Sequence, residues 1–242
     1  GIWRVQIAHP GKLNAMSRSM WVQLRTVFEA LAARSDVRCV VVQGDGAAFC
    51  AGGDIAEYPG FRFDAAQLAY FHETEVWGGL QAMLDSPVPV IAAIRGACMG
   101  AGVEIASCCD LRVAADDAKF GAPIAKLGFP MAPRELELVA REVGAMVARR
   151  MLLEAAVFSA PVMAQQGFVG QVVAVSEWEA VVQATAEKVA ALSPLAARLN
   201  KQALRAIAGG GAGAVVHPYA YADAAEHREG IAAFLAKRKP QF

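Results

Sequence analysis

No stretch of the 242 residues reaches the ~18 consecutive apolar residues that a membrane-spanning helix needs, so no membrane partner is expected. Neither sign of charge is in excess. Lysine plus arginine and aspartate plus glutamate each number 23, which argues against a nucleic-acid or anionic-membrane partner. Cysteine is sparse and odd in number, five in all, with Cys108 and Cys109 adjacent and no C-x-x-C pair. The four histidines are scattered. That pattern excludes a disulfide framework and a zinc site, and a reducing, cytoplasmic setting is expected. No G-x-G-x-x-G follows a strand, and no glycine loop carries the lysine of a phosphate-binding P-loop. No repeat recurs at a fixed period, and no signal peptide is visible. The chain opens inside what reads as a strand, "GIWRVQIAHP", so a few preceding native residues are expected.

What is present is an apolar chain, 56% hydrophobic and 19% charged, of a length that suits one large domain with or without a small appendage. The excess is alanine and valine, consistent with oligomer surfaces that also need burial. Residues 2–8 read as a strand. Ser17 is a candidate helix cap, and Met20, Leu24, Val27, Phe28 and Leu31 recur at helical spacing through about 17–34. Runs 37–44, "SPVPVIAAIRG" and "DLRVAA" (110–115) read as strands buried on both faces, with helical segments between them, notably 65–84. This is an α/β layout with a parallel sheet. From 134 onward the pattern turns helical, at 134–153, 160–167, 176–192, 194–208 and 218–237. A strand-like "GFVGQVV" interrupts it, and "GGGAG" (209–213) reads as a flexible joint.

Two loops share a form. "AFCAGGD" (48–54) and "CMGAGVE" (98–104) each follow a buried strand and lead into helical structure. Glycine lets the backbone approach a ligand, and N–H groups at a helix start lack internal partners. Two such groups converging on one point form an oxyanion hole. Ordinary tight turns between strand and helix have the same composition, and pattern alone leaves both readings open. Within the second loop Glu104 is a lone carboxylate in an apolar run, which is expensive to bury without a purpose or a partner.

Together these loops resemble the crotonase, or enoyl-CoA hydratase/isomerase, superfamily. The resemblance extends to "HPGKLNAMS", "VVVQGDGAAFCAGGDI", "PVIAAIRGACMGAGVEIASCCDLRVAADDAKFGAP", "VARRMLLEAAVFSAPVMAQQGFVGQVV" and "EHREGIAAFLAKRKPQF", essentially the whole chain. It implies a spiral of ββα units over 1–190 and a helical trimerisation region over 191–242, assembled as a homotrimer or a hexamer made of two trimers. It implies an acyl-CoA thioester as substrate and no separate cofactor. The N–H groups of Gly53 and Ala101 would hold the thioester carbonyl oxygen, with Gly100 at the turn before the second donor. Coenzyme A would lie over Lys12 and Leu13 and along Ala51, Gly52, Asp54 and Ile55, Asp54 serving to cap or order its loop. The basic tail, Lys237, Arg238 and Lys239, would either meet CoA phosphates or be solvated.

Glu104 matches the first of the two glutamates that the family's hydratases use. The second should follow "KFGAP", where this chain has Ile124, a side chain that cannot move a proton. Arg134 and Glu135 depart from a glycine-rich family turn. The first turn of a solvated helix is the favoured place for them, and new charges at the pocket the other. One carboxylate suffices to shift a double bond or to protonate an enolate, while hydration asks more of it. Hydration or isomerisation of an enoyl-CoA is therefore expected, with an acyl-CoA decarboxylase or a non-catalytic acyl-CoA binder as alternatives. His72, Glu73 and Glu75 lie in a segment that helps line the family's acyl pocket, though a structural or solvated role is favoured. Tyr58, Phe61 and Phe63 would wall the acyl end or join the core, and Cys50 and Cys98 read as buried filler.

Overall fold

The structure, a computed structural model, describes residues 1–210, 213 and 215–242. In chain order its strands and α-helices are β1 (Ile2–Ile7), α1 (Arg18–Ala32), β2 (Cys39–Gly44), α2 (Ala65–Tyr70), α3 (Trp77–Asp85), β3 (Val90–Ile94), β4 (Ala97–Met99), α4 (Ala101–Cys108), β5 (Leu111–Ala115), β6 (Lys119–Gly121), α5 (Pro133–Val143), α6 (Ala145–Leu153), β7 (Val157–Ser159), α7 (Ala160–Gln165), β8 (Gln171–Val173), α8 (Val175–Ala190), α9 (Pro194–Gly210) and α10 (Ala225–Leu235). Single 3-10 turns occupy Ile55–Gly60 and Pro123–Leu127, and one π-helical turn, Phe71–Val76, links α2 to α3.

Five strands form a parallel sheet in the order β1-β2-β3-β5-β8. Successive residues of a strand face opposite sides, and here both sides are covered. Val40, Val42, Val90, Ala92 and Ile94 face α1 and α3 through Trp21, Phe28, Leu80 and Met83. Cys39, Val41, Ile91, Ala93 and Val113 face α8 through Trp178, Val182 and Ala186. That is why the strands read as unbroken β-branched and alanine runs. A second, three-stranded sheet has the order β4-β6-β7, with β6 and β7 antiparallel.

Ser17 caps α1, its Oγ accepting from the Met20 N–H at 3.3 Å. The buried face of α1 is Trp21, Leu24, Phe28 and Leu31; Val27 turns outward. The expected helix over 65–84 is broken by the π-helical turn, and the one over 134–153 is split at Gly144, whose φ of +85° ends α5. The three-residue strands β4, β6 and β7 carry too little periodicity to be read from sequence. In the glycine-rich stretch 209–213, the backbone of Gly209 and Gly210 continues α9, and Gly211 and Ala212 lie outside the described residues.

Two connections bring the loops together. Gly96, at φ +56°, turns the chain sharply from β3 into β4, and a Cβ there would stand 2.0 Å from the Ala47 carbonyl oxygen. An isolated parallel bridge then joins Cys50 to Cys98, with the Cys50 N–H on Ala97 O and the Met99 N–H on Cys50 O, both at 2.9 Å. Beyond the bridge, the two glycine loops leave side by side.

Candidate functional site

The first loop is fixed from below by Asn14. Its Nδ2 donates to the carbonyls of Asp45 and Ala48, both at 2.8 Å, and its Oδ1 accepts from the His9 N–H at 3.2 Å. This ties 9–17 to 45–54. A parallel bridge then pairs Met16 with Gly53. The ladder bonds are made by the residues flanking Gly53: Met16 N–H to Gly52 O and Asp54 N–H to Met16 O, each 2.8 Å. In a parallel ladder the bridged residue's own N–H then faces the other way. Gly52, at φ +119°, supplies the turn that glycine alone makes easily. A Cβ on Gly53 would fall 2.1 Å from the Tyr58 hydroxyl.

The second loop ends at Gly100, with φ +47° and ψ −108°, which caps α4. The Ala101 N–H is the first of the unpaired donors at the start of that helix. Among the described residues, neither the Gly53 nor the Ala101 N–H has a backbone acceptor. The loops touch, since a Cβ on Gly100 would lie 3.8 Å from the Gly52 Cα.

Both donors open onto a cavity of about 340 Å³, whose wall includes Glu104, Ile124 and Met131. A helix repeat sets Glu104 one turn from Ala101, so its side chain rises on the same face. The surface that Glu104 retains belongs to this largely apolar hollow. Burial, with the nearby charge of Glu135 adding to it, raises the Glu104 carboxyl to about 8, and the Arg62 cation opposes the rise. Among the described residues no side chain or N–H donates to the Glu104 carboxyl. A buried glutamate held by a structural partner is therefore not what is found.

Arg62 enters the same cavity with its guanidinium 4.3 Å from the Tyr58 ring centre and 3.9 Å from that of Phe129. Burial lowers its pKa, and Tyr58 and, after it, the Glu104 carboxylate oppose the fall. His72 also lines the cavity, and its Nδ1 lies 2.9 Å from Glu135 Oε1. Glu135 is only 2% exposed. The helix start expected there is present, since Glu135 lies in the first turn of α5, but that turn is not solvated at Glu135. Its neighbour Arg134 does face outward, 3.3 Å from Glu73. Glu75 is structural, paired through both oxygens with Arg18 at 2.6 and 2.8 Å.

Of the residues singled out in the sequence, Ala51, Gly52, Gly53, Ile55, Gly100, Ala101, Glu104 and Ile124 share this cavity. Lys12, Leu13 and Asp54 lie just outside it. Asp54 caps the 3-10 turn at Ile55 and accepts from Lys12 Nζ at 2.6 Å, and Leu13 O accepts from the Ala51 N–H at 3.0 Å. Lys12 thus has a carboxylate partner, neither free nor fully solvated. Tyr58 lines the cavity, Phe61 is buried beside it, and Phe63 is exposed. Burial pushes the Cys50 thiol to about 12 and Cys98 well above its usual range, so both are inert filler. In the basic tail, Arg238 pairs with Glu229 at 2.6 Å.

Sequence reasoning missed Arg62 and undervalued Glu135. The Glu135 signal was there: it shares a helical face with the buried Leu138 and Val139, whereas Glu137 does not. Arg62 stands in irregular chain between two phenylalanines and has no periodicity to betray it. A wider hollow of about 770 Å³ lies around Arg38, Arg198 and Glu226. Most of its polar groups are engaged structurally, Arg38 on the Ala190 and Phe242 carbonyls, Glu226 on Ser193 and the Leu195 N–H, and Arg198 on Val37 O; among the described residues lining it, only the Arg198 Nε is a buried side-chain polar atom left unpaired.

A family model described as enoyl-CoA hydratase/isomerase matches residues 1–242. Among curated proteins, the 2,3-dehydroadipyl-CoA hydratase of Escherichia coli is 33% identical over 96% of this chain and 91% of its own. Among solved structures, an enoyl-CoA hydratase/carnithine racemase from Magnetospirillum magneticum is 36% identical with a TM-score of 0.94, over 99% of this chain and 91% of that one. An enoyl-CoA hydratase from Bacillus anthracis is 27% identical with a TM-score of 0.90, over 99% and 94% respectively.

Proposed function

The chain belongs to the enoyl-CoA hydratase/isomerase family, and from that premise we propose that the cavity takes an enoyl-CoA thioester whose enolate it stabilises. The thioester oxygen sits between the N–H groups of Gly53 and Ala101, and Glu104 carries the proton to and from the carbon beside it. One observation supports this above the rest: a carboxyl without a protein partner shares an apolar cavity with two free backbone donors. A group titrating near 8 is close to the ideal for giving and taking protons at neutral pH. Each backbone donor is worth about 3–4 kcal/mol of barrier when it meets a developing oxyanion.

The reaction is hydration of the double bond or its migration along the acyl chain. Coenzyme A arrives as part of the substrate, lying over Lys12 and Leu13 and along Ala51–Ile55, and no separate cofactor enters. Ile124 favours a second reading, in which the cavity binds acyl-CoA, or protonates an enolate left by decarboxylation, without hydrating. In the assembly we propose, 1–190 form the core and 191–242 the contact region of a trimer or a hexamer of two trimers. Exposed apolar side chains on α9 and α10, among them Leu204, Ile207, Phe234 and Leu235, support that. The free, buried cysteines suit a reducing compartment such as the cytoplasm.

Incubating the protein with a panel of enoyl-CoA and carboxyacyl-CoA thioesters in deuterated water, with NMR of the products, tests the reading. A hydroxyacyl product or a displaced double bond, deuterated beside the thioester, is expected. Binding with no product and no exchange on any thioester contradicts it and leaves the binder.

A further inference from the structure

Ile124 removes a proton carrier from one wall of the cavity, while His72 brings a different one to another wall. His72 follows Phe71 at the start of the π-helical turn Phe71–Val76. π-turns inside helices are rare and concentrate at functional sites. The turn is clamped: Arg18, at the start of α1, holds Glu75 through both carboxylate oxygens, and Phe71 packs against Phe61 with ring centres 4.7 Å apart. The imidazole is also held in orientation, its Nδ1 2.9 Å from the Oε1 of Glu135. Where the Glu135 carboxylate accepts from Nδ1–H, Nε2 carries the lone pair. Among the described residues Nε2 has no hydrogen-bond partner, while the ring borders the cavity. A carboxylate that fixes the tautomer of an imidazole and steadies its charged form is the arrangement that makes histidine a general base.

We propose that His72, positioned by Glu135, is the second acid–base group of this site and deprotonates the water added to the enoyl thioester. This rests on the enolate reading above. The water O–H bond breaks toward His72 Nε2 as the oxygen bonds to the β-carbon. The π electrons move to the thioester oxygen between Gly53 and Ala101, and the Glu104 carboxyl delivers its proton to the α-carbon. The imidazolium then returns a proton to Glu104 through solvent, so one water is added and nothing else is consumed. The division of labour follows from environment. Desolvated Glu104 is protonated at neutral pH and suits the acid, and the imidazole, with a carboxylate on Nδ1 and, among the described residues, nothing on Nε2, is placed to be the base. The charged groups around His72 are Glu135 from α5, Glu104 from α4, Lys126 from the 3-10 turn Pro123–Leu127, and Arg62. Glu73 and Arg134 pair with each other on the outer side.

The test compares wild type, His72→Gln and Glu135→Gln in two assays. One follows hydration of an enoyl-CoA across pH. The other follows α-proton exchange of a saturated acyl-CoA in deuterated water, which needs Glu104 alone. His72→Gln is expected to lower kcat for hydration about 10²–10⁴-fold with KM nearly unchanged. It should also erase the acid limb of the pH profile and leave exchange within about threefold of wild type. Glu135→Gln is expected to lower kcat for hydration about 10–100-fold, again with exchange retained, since the imidazole loses the partner that orients it. Hydration by His72→Gln at the wild-type rate, or with its acid limb intact, overturns the proposal. So does loss of exchange together with hydration, which would make His72 a structural support. If wild type itself exchanges no α-proton on any thioester, the enolate reading fails first and takes this one with it.

Discussion

Glu104 sits where its charged form is disfavoured, and stability should record this. An ordinary glutamate titrates near 4.5 and Glu104 near 8. Below 4.5 the folded and unfolded chains both hold the proton and the site costs nothing. Above it the unfolded chain releases the proton first, so stability falls as pH rises and levels off past about 8. Glu104→Gln removes the dependence. It is expected to be more stable than wild type at pH ~9 by roughly 2–4 kcal/mol, with little difference at pH ~4. Denaturant unfolding at the two pH values checks this, and a variant weaker at both would assign Glu104 a structural role. The Arg62 cation works in the opposite direction. Arg62→Met keeps the stacking between Tyr58 and Phe129 but removes the cation. The pH at which Glu104 begins to accept α-protons should then move upward from about 8. An unchanged midpoint would show that Arg62 does not act on Glu104. Glu104 was legible in sequence because the apolar run "GACMGAGVEIASCCD" gives a lone charge little reason to be there except chemistry. Arg62 was not, because nothing local distinguishes a half-buried arginine from a surface one.

Among the elements, α4 carries the site, and its placement depends on contact with the first loop. Gly102 lies against Cys50, and a Cβ there would stand 2.7 Å from the Cys50 carbonyl oxygen. That oxygen already accepts from Met99 and cannot retreat freely. Gly102→Ala is therefore expected to destabilise by about 1–3 kcal/mol despite the better helix propensity of alanine. Thermal unfolding reads this out, and a rise in Tm would mean that the two loops are not tightly joined. The long buried strands β2, β3 and β5 were legible because each is covered on both faces. The π-helical turn was not. Its sequence continues the helical pattern, and the contacts its residues make, Glu75 with Arg18 and Phe71 with Phe61, are with residues distant in sequence that local periodicity does not register. Glu135 shows the same limit: its helix was legible, but solvation was judged from charge and not from the face it occupies.

Across the whole molecule, the C-terminal helices are bound to the sheet through few charged groups. Lys201 of α9 is 6% exposed, and its Nζ donates to Val88 O at 2.6 Å and pairs with Asp110 at 2.8 Å. Arg205 reaches the same carboxylate at 3.3 Å. Lys201→Met leaves Asp110 with Arg205 and the Val90 N–H. The expected cost is about 2 kcal/mol, below the usual penalty for breaking a buried pair. Urea unfolding gives the figure, and no loss would detach α9 from the core's stability. The α/β class and the family were legible from the chain as a whole, since the loops, strands and tail agree in order and spacing. The subunit contacts we propose have only an apolar excess behind them in the composition, and a surface awaiting a partner and an alanine-rich core share that composition.

Exchange of the α-protons of a saturated acyl-CoA in deuterated water, followed by NMR in wild type and in Glu104→Gln, bears most directly on enolate chemistry at this carboxyl. Wild type should exchange, and Glu104→Gln should bind the thioester equally well but exchange about 10²–10⁴-fold more slowly. Undiminished exchange in Glu104→Gln would place the proton-carrying group elsewhere in the cavity.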